Sequence, residues 1–432
     1  MQSGGMPPTA FSALELSRFL RERFGFAGFR GLQEPVVQAV LAGNDVLALM
    51  PTGAGKSLCY QLPGLLFPGV TVVISPLIAL IRDQVRRLQA LNIDCLAVMG
   101  STEMNATLSQ AESSIRQGQT KVILTSPERV QIPSFLQWLS QCLPPQGLSL
   151  IVIDEAHCIS EWGRSFRPAY IALGAMRDQY PDTPVLAMTA SADQWTRKDI
   201  LEVLRMPEES IIRSSFNRPE LFYRVAHSNA PWRSAIGYLQ RYHRASPAIF
   251  YCKMRQETER LAQLLDCYGL HARPYHAGME ATARYETEQW FLDAETGVMV
   301  ATIAFGMGMD KPNIRLVAHV GLDHRVAAYY QETGRAGRDG QSSDVLLMLS
   351  NREHQHLECD DGSGLEIALN DREAEAKAQF GAFLKPRQCR RIALLAGLDE
   401  IFDGECNACD FCNPNHHAMP LVRENASKWT PK

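Results

Sequence analysis

Short apolar runs, each closed by a turn signal and followed by a longer polar stretch of helical periodicity, recur along most of this chain. After an opening segment without periodicity, Leu14 to Phe24 repeats its apolar positions at helical spacing. Strand-like runs then follow at Val46–Met50, Val70–Ser75, Val122–Thr125, Leu150–Ile153 and Val185–Met188. These runs are mainly apolar and do not alternate, which predicts strands buried on both faces, as in a parallel sheet covered by helices. The pattern breaks between Met206 and Asn217, with Pro207 and acidic residues, and then restarts. A second set of runs lies at Ala248–Cys252, Val298–Thr302, Leu316–Val320 and Val345–Leu349. A charged, helix-like region from Asp371 to Lys385 and a cysteine-rich end close the chain. The predicted division is a leader over 1–10, α/β domains over 11–207 and 208–352, a small helical subdomain over 353–415 and a tail over 416–432.

Length agrees with more than one core, since 432 residues exceed a single hydrophobic core of ordinary size. With 46% hydrophobic and 21% charged residues the composition is that of a globular protein. The net charge of −4 says nothing in favour of nucleic acid, so any such surface is local. No apolar run has the length of a membrane span and the opening residues lack a signal-peptide pattern, which predicts a cytoplasmic protein, nucleoid-associated if bacterial. The 11 cysteines are then expected as thiols or metal ligands, and four crowd the C-terminal end.

Candidate chemistry falls just after the predicted strands, where parallel sheets bind ligands. MPTGAGKS, residues 50–57, stands between a strand and a helix. Thr52, Gly53 and Gly55 belong to a loop whose N–H groups can surround phosphates, Lys56 can reach the terminal phosphates, and the Ser57 hydroxyl can hold Mg²⁺. Met50 occupies the place of the first glycine in the strict form of that motif. Upstream, FGFAGFRGLQ offers Gln33 to an adenine edge, Phe26 to its face and Arg30 to the ring or a phosphate; a capping glutamine on an amphipathic helix is the plain alternative. DEAH at 154–157 ends a strand. Asp154 suits the Mg²⁺ shell and Glu155 the orientation and deprotonation of a water.

The stretch after DEAH interleaves Trp162, Phe166 and Tyr170 with Arg164 and Arg167, a combination that can stack on unpaired bases and contact phosphates, or else pack as a buried aromatic cluster. In the second domain Gln331, Arg335 and Arg338 have the spacing of one helical face. The two arginines can clamp a γ-phosphate; a surface salt-bridge stripe is the alternative, disfavoured by Gly334 and Gly337. Cys389, Cys406, Cys409 and Cys412 can surround one tetrahedral zinc. An iron–sulfur cluster would want a cysteine where His416 stands, and unmetallated thiols are the third reading.

Taken together, FGFAGFRGLQ, MPTGAGKS, SPLIALIRDQV, TSPERV, IDEAHCISEWGRSFRP, MTASA, SFNRPEL, YHAGM, ATIAFGMGMDKPNIR, YYQETGRAGRDG and the cysteine unit resemble the RecQ DNA helicases of superfamily two, from about Phe11 to Cys412. The resemblance implies two RecA-like parallel-sheet domains in tandem, followed by a small helical zinc-binding subdomain. It implies an ATP- and Mg²⁺-dependent motor that moves 3′ to 5′ on single-stranded DNA and unwinds tailed or forked duplexes in repair and recombination. Phe26, Arg30 and Gln33 would bind adenine, and Trp162, Phe166 and Arg167 would couple DNA to hydrolysis. Expected partners are DNA and, beyond it, single-strand-binding and repair proteins, with the chain itself a monomer. Where relatives commonly carry His and Asp, this chain has Arg164 and Ser165. It reads as a short form, without the family's winged-helix and HRDC domains. A DEAD-box RNA helicase or a duplex translocase would lack the cysteine unit and the aromatic loop. An ATP-switched DNA clamp or annealing factor is the reading from another class.

Overall fold

A computed structural model describes residues 11–51, 53–76, 78–99, 111–161, 168–190, 192–303, 305, 311–321, 325–353, 371–385 and 387–419. Contacts divide the chain into two units, through Phe216 and from Asn217 onward.

The first unit is built on a seven-stranded parallel sheet. Its strands are β1 (Val46–Leu49), β2 (Val70–Ile74), β3 (Cys95–Val98), β4 (Val122–Thr125), β5 (Leu148–Ile153), β6 (Val185–Thr189) and β7 (Ile211–Arg213), in the order β3-β4-β2-β5-β6-β1-β7. Strands β1, β2, β4 and β6 are buried along their whole length, because helices cover both faces; the only polar side chains they hold are the threonines Thr71, Thr125 and Thr189. The helix Ala13–Phe24 starts on a capping box, in which the Ser12 hydroxyl and the Glu15 carboxylate each accept the other residue's backbone N–H. It buries Leu16, Leu20 and Phe24. The helices Gln33–Leu41 and Leu58–Leu66 pack on the same core with Val36, Val37, Val40, Cys59 and Leu62. The break after Phe216 falls later than the expected boundary at 207, because β7 pairs in parallel with β1, Ile211 opposite Leu47.

The second unit holds a six-stranded parallel sheet of β8 (Leu221–Ser228), β9 (Pro247–Tyr251), β10 (Ala272–Tyr275), β11 (Gly297–Ala301), β12 (Leu316–Val320) and β13 (Ser343–Ser350), in the order β10-β11-β9-β12-β13-β8. Its core gathers Ile236, Leu239, Phe250, Leu261, Leu265, Val300, Leu346 and Met348. The cysteine-rich region is docked on this sheet's β8 edge. The Tyr223 N–H donates to the Ala408 carbonyl at 3.1 Å and the Asp410 N–H donates to the Tyr223 carbonyl at 3.0 Å. Two buried arginines at the start of the helix Arg390–Ala396 fasten the region. Arg390 reaches the Asp410 carboxylate at 2.8 Å and the Phe383 and Lys385 carbonyls at 2.9 and 2.8 Å. Arg391 reaches the Asn217 side chain and the Arg218 and Leu221 carbonyls at 2.5, 2.6 and 2.7 Å. Among the described residues no helix is long and apolar enough to cross a membrane.

Candidate active site

The loop after β1 is held from both ends. The Met50 N–H donates to the Thr189 carbonyl of β6 at 3.0 Å, and the helix Leu58–Leu66 follows directly after Ser57. Gly53 and Gly55 take φ of +86° and +74°, a region that side chains disfavour. At Gly55 space forbids one as well, because a Cβ would lie 2.4 Å from Nε2 of Gln33. Thr52 lies outside the described residues.

Gln33 is 5% exposed and uses both ends of its amide. Its Oε1 accepts the Arg30 N–H at 2.8 Å, while Nε2 donates to the Ala54 and Gly55 carbonyls at 3.0 and 3.2 Å. The residue expected to face a base therefore also ties the segment ahead of the helix Gln33–Leu41 to the phosphate-type loop. Arg30 is exposed, and Phe26 is 49% exposed with its ring stacked on that of Phe24 at 6.5 Å between centroids. An open aromatic face thus stands on the same segment as Gln33.

Asp154 and Glu155 follow β5 between two other strands. The Asp154 N–H donates to the Ile74 carbonyl of β2 at 2.9 Å, and the Ala156 N–H donates to the Met188 carbonyl of β6 at 2.8 Å. Glu155 sits at φ +49°, a backbone state that is costly for a residue with a side chain and that recurs at functional positions. Its N–H donates to Oδ1 of Asp154 at 3.0 Å, and the Ser75 hydroxyl donates to Oδ2 at 3.3 Å. Burial first, and the charge of Glu155 second, push the Asp154 carboxyl up to about 6, against the pull of Lys56, the Glu155 N–H and Ser75. Two crowded carboxyl groups beside a lysine and a serine hydroxyl form a hard oxygen donor set that fits a hydrated Mg²⁺. His157 is buried, with Nδ1 3.0 Å from the Thr189 hydroxyl and 3.3 Å from Oε2 of Glu155, so it links the acidic pair to the end of β6. Trp162, Arg164, Phe166 and Arg167 lie outside the described residues, whereas Tyr170, the third aromatic of that stretch, is fully buried and packs in the core instead of facing unpaired bases.

In the second unit the expected helical face of Gln331, Arg335 and Arg338 does not form. The helix Val326–Thr333 carries Gln331 in its last turn and stops at Gly334. The next two bonds, from the Arg335 N–H to the Glu332 carbonyl and from the Ala336 N–H to the Thr333 carbonyl, are i to i−3 and tighten the chain. Gly337 then turns it at φ +60°. Both arginines are thereby carried on a turn. Arg335 is 6% exposed, and its Nε and Nη1 are buried without a hydrogen-bond acceptor among the described residues. A buried guanidinium with unused donors suits an incoming anion.

Sequence reasoning passed over Arg218, which braces this turn: its guanidinium donates to the Gly334, Ala336 and Gly337 carbonyls at 3.3, 2.9 and 3.3 Å and pairs with Glu220. The only signal was an arginine in the SFNRPEL stretch.

The sulfur atoms of Cys389, Cys406, Cys409 and Cys412 all lie within 4.8 Å of one another. The Ala408 and Cys412 N–H groups point at the sulfurs of Cys406 and Cys409, each at 3.4 Å. The Cys409 thiol is pulled down, by the Cys406 thiol beside it first and with help from the N–H groups of Cys412, Arg390 and Phe411 against burial. Four converging sulfurs, two of them approached by backbone N–H groups, fit zinc.

Residues 30–200 match the model of the DEAD/DEAH box helicase family and residues 232–340 that of the helicase conserved C-terminal domain. Over 405 residues the chain is 39% identical to the ATP-dependent DNA helicase RecQ of Haemophilus influenzae, covering 94% of this chain and 64% of that protein. It is 33% identical over 426 residues to a Caenorhabditis briggsae protein of the ATP-dependent DNA helicase Q1 type, covering 96% of this chain and 68% of the relative. The chain thus spans 64% of the Haemophilus protein and 61% of its Pasteurella multocida counterpart. Among solved structures, Mss116, a DEAD-box helicase bound to single-stranded RNA, superposes with a TM-score of 0.65 at 17% identity, covering 87% of this chain and 84% of that one. The Mycobacterium smegmatis helicase Lhr bound to single-stranded DNA gives 0.60 at 20%, covering 81% and 49%. These two likenesses show the fold, two RecA-like domains in tandem. By its motifs, its sheets and its identity to these relatives, the chain belongs to the RecQ family of DNA helicases.

Proposed function

We propose that this chain is an ATP-dependent DNA helicase that uses hydrolysis to move 3′ to 5′ along single-stranded DNA and to separate tailed or forked duplexes during repair and recombination. The observation that carries the reading is the arrangement in the first unit. A glycine-turned loop with Lys56 and Ser57 ends β1, an acidic pair ends β5, and the charge of Lys56 acts on Asp154.

Phe26, Arg30 and Gln33 bind the base, and the loop N–H groups and Lys56 bind the phosphates. Ser57 and Asp154 would hold Mg²⁺, which would supply charge neutralisation to the phosphates. Glu155 orients the attacking water and accepts its proton, while His157 keeps the Glu155 carboxylate in register with Thr189. Arg335 and Arg338 meet charge that develops on the transferred phosphoryl group. Trp162, Arg164, Phe166 and Arg167 contact unpaired DNA, and the four cysteines hold one structural zinc.

The test is strand displacement on DNA duplexes with a 3′ or a 5′ tail and on RNA duplexes, together with ATPase assays. Lys56→Ala is expected to abolish DNA-stimulated hydrolysis, and Glu155→Gln to stop turnover while nucleotide still binds. Turnover retained in either variant removes these roles. Hydrolysis without strand separation on any tailed DNA replaces unwinding by an ATP-switched clamp.

A further inference from the structure

Three histidines and a tyrosine converge on one buried carboxylate away from the four cysteines. Asp344, in β13, is 2% exposed. Its Oδ2 lies 2.7 Å from the Tyr238 hydroxyl, 2.7 Å from Nε2 of His243 and 2.7 Å from Nδ1 of His417. Its Oδ1 lies 3.0 Å from Nε2 of His416. The groups come from three places in the chain: the residue that closes the helix Pro231–Tyr242, a sheet strand, and the segment after the cysteines. One hydroxyl and two imidazole nitrogens, each of which donates or stands bare according to its tautomer, thus crowd an oxygen that has two lone pairs.

We propose that His243, Asp344 and His417 form a second metal site that takes a divalent transition ion of the zinc class. The three ligand atoms lie within 4.8 Å of one another, and each residue presents one of them. Zinc bonds of about 2.0–2.1 Å to nitrogen and oxygen place tetrahedral ligands about 3.3 Å apart, which needs only small side-chain adjustments. With both imidazoles turned to the ion, Oδ2 keeps the ion and the Tyr238 hydroxyl as its two partners. His416 then fixes the other carboxylate oxygen, an outer contact of the kind that orients metal-bound carboxylates.

The ring packing sets the histidines for this. His417 stacks on Tyr242 at 4.3 Å and His416 on Phe222 at 4.0 Å. The His417 side chain is 36% exposed, which gives an ion a path from solvent. Three protein ligands leave a coordination position for water, so this ion exchanges more readily than one enclosed by four thiolates. Its binding fastens residues 416–419 to the sheet, where Met419 already packs against the core.

The experiment compares the metal content of the full chain with that of His243→Gln and His417→Gln after equilibration with zinc and removal of the excess. Glutamine keeps hydrogen-bonding capacity and binds the ion poorly. Each variant is expected to hold about one equivalent less zinc than the parent chain. Cobalt loading is expected to give the parent, and neither variant, a visible band without thiolate charge transfer. Equal zinc content in parent and variants overturns the site, whatever the cysteines hold, and leaves only a hydrogen-bonded cluster. Loss of zinc from both variants together with loss of the cobalt thiolate band also overturns it, since the effect then passes through the cysteine set. Circular dichroism of His417→Gln, the more exposed position, checks that the chain remains folded.

Discussion

Gln33→Glu isolates the contact between the segment proposed to read the base and the glycine-turned loop proposed to bind the phosphates. The substitution preserves size and keeps an acceptor for the Arg30 N–H, but it replaces the amide donor that serves the Ala54 and Gly55 carbonyls at 3.0 and 3.2 Å. Each of these hydrogen bonds contributes about 1 kcal/mol net, so the loop loses about 2 kcal/mol of support before any repulsion between oxygens is counted. With about 1.4 kcal/mol per factor of ten, that is a roughly 30-fold shift against the loop in its present shape. It corresponds to a fall of about 4–8 °C in the melting temperature of a unit of this size. Titration with fluorescent ATP and GTP analogues, beside thermal melts, reads both effects, and Gln38→Ala on the exposed side of the same helix serves as control. Weaker binding of both nucleotides marks Gln33 as a brace of the loop, and a selective loss of ATP marks it as a reader of adenine as well. A melting temperature within about 1 °C of the parent and unchanged affinity for both nucleotides would refute the reasoning, because the two contacts to Ala54 and Gly55 would then carry no free energy.

Cys409→Ser should cost the zinc of the cysteine set and destabilise the second unit; equal zinc content and an equal melt would exclude the site. Gly397→Ala should destabilise by about 1–3 kcal/mol, since a Cβ there lies 2.9 Å from both methyl carbons of Val326, and Val326→Ala in the same chain should restore most of the loss. Denaturant melts of the single and double variants check this, and additive losses would show that the two residues do not collide. Trp162→Ala should leave basal ATPase intact and remove most of its stimulation by single-stranded DNA. Stimulation that survives would assign Trp162 to packing. DNA binding by the parent should also weaken steeply with salt, as counterion release requires.

The nine strands read from the sequence are those with sheet neighbours on both sides, and the four left unread, β3, β7, β8 and β10, are the four sheet edges. The reason is physical. An interior parallel strand is closed off on both faces and reads as a mainly apolar run, whereas an edge admits exposed polar residues. Examples are Arg273 in β10, or His227 and Ser228 in β8. The glycine-turned loop after β1, the acidic pair and the clustering of the four cysteines were legible because their signals are local in sequence. The positions of Arg335 and Arg338 were only partly so. Spacing suggested a helix, and a tight turn set by Gly334 and Gly337 prevailed. Arg218, Arg391 and the histidines around Asp344 act across long separations, and no spacing rule announces such partners.

The docking of residues 408–410 on β8 has one more consequence. An eight-residue strand at the margin of a sheet offers a row of unsatisfied N–H and C=O groups to any other strand that meets it. Here Ala408 and Asp410 occupy the groups of Tyr223, and the Asp410 carboxylate takes the Val225 N–H at 3.0 Å. The cysteine region is thus a lid over a self-adhesive border, as well as the proposed zinc site. A chain stripped of its metal should first become sticky, self-associating in proportion to its concentration while the sheet beneath remains folded.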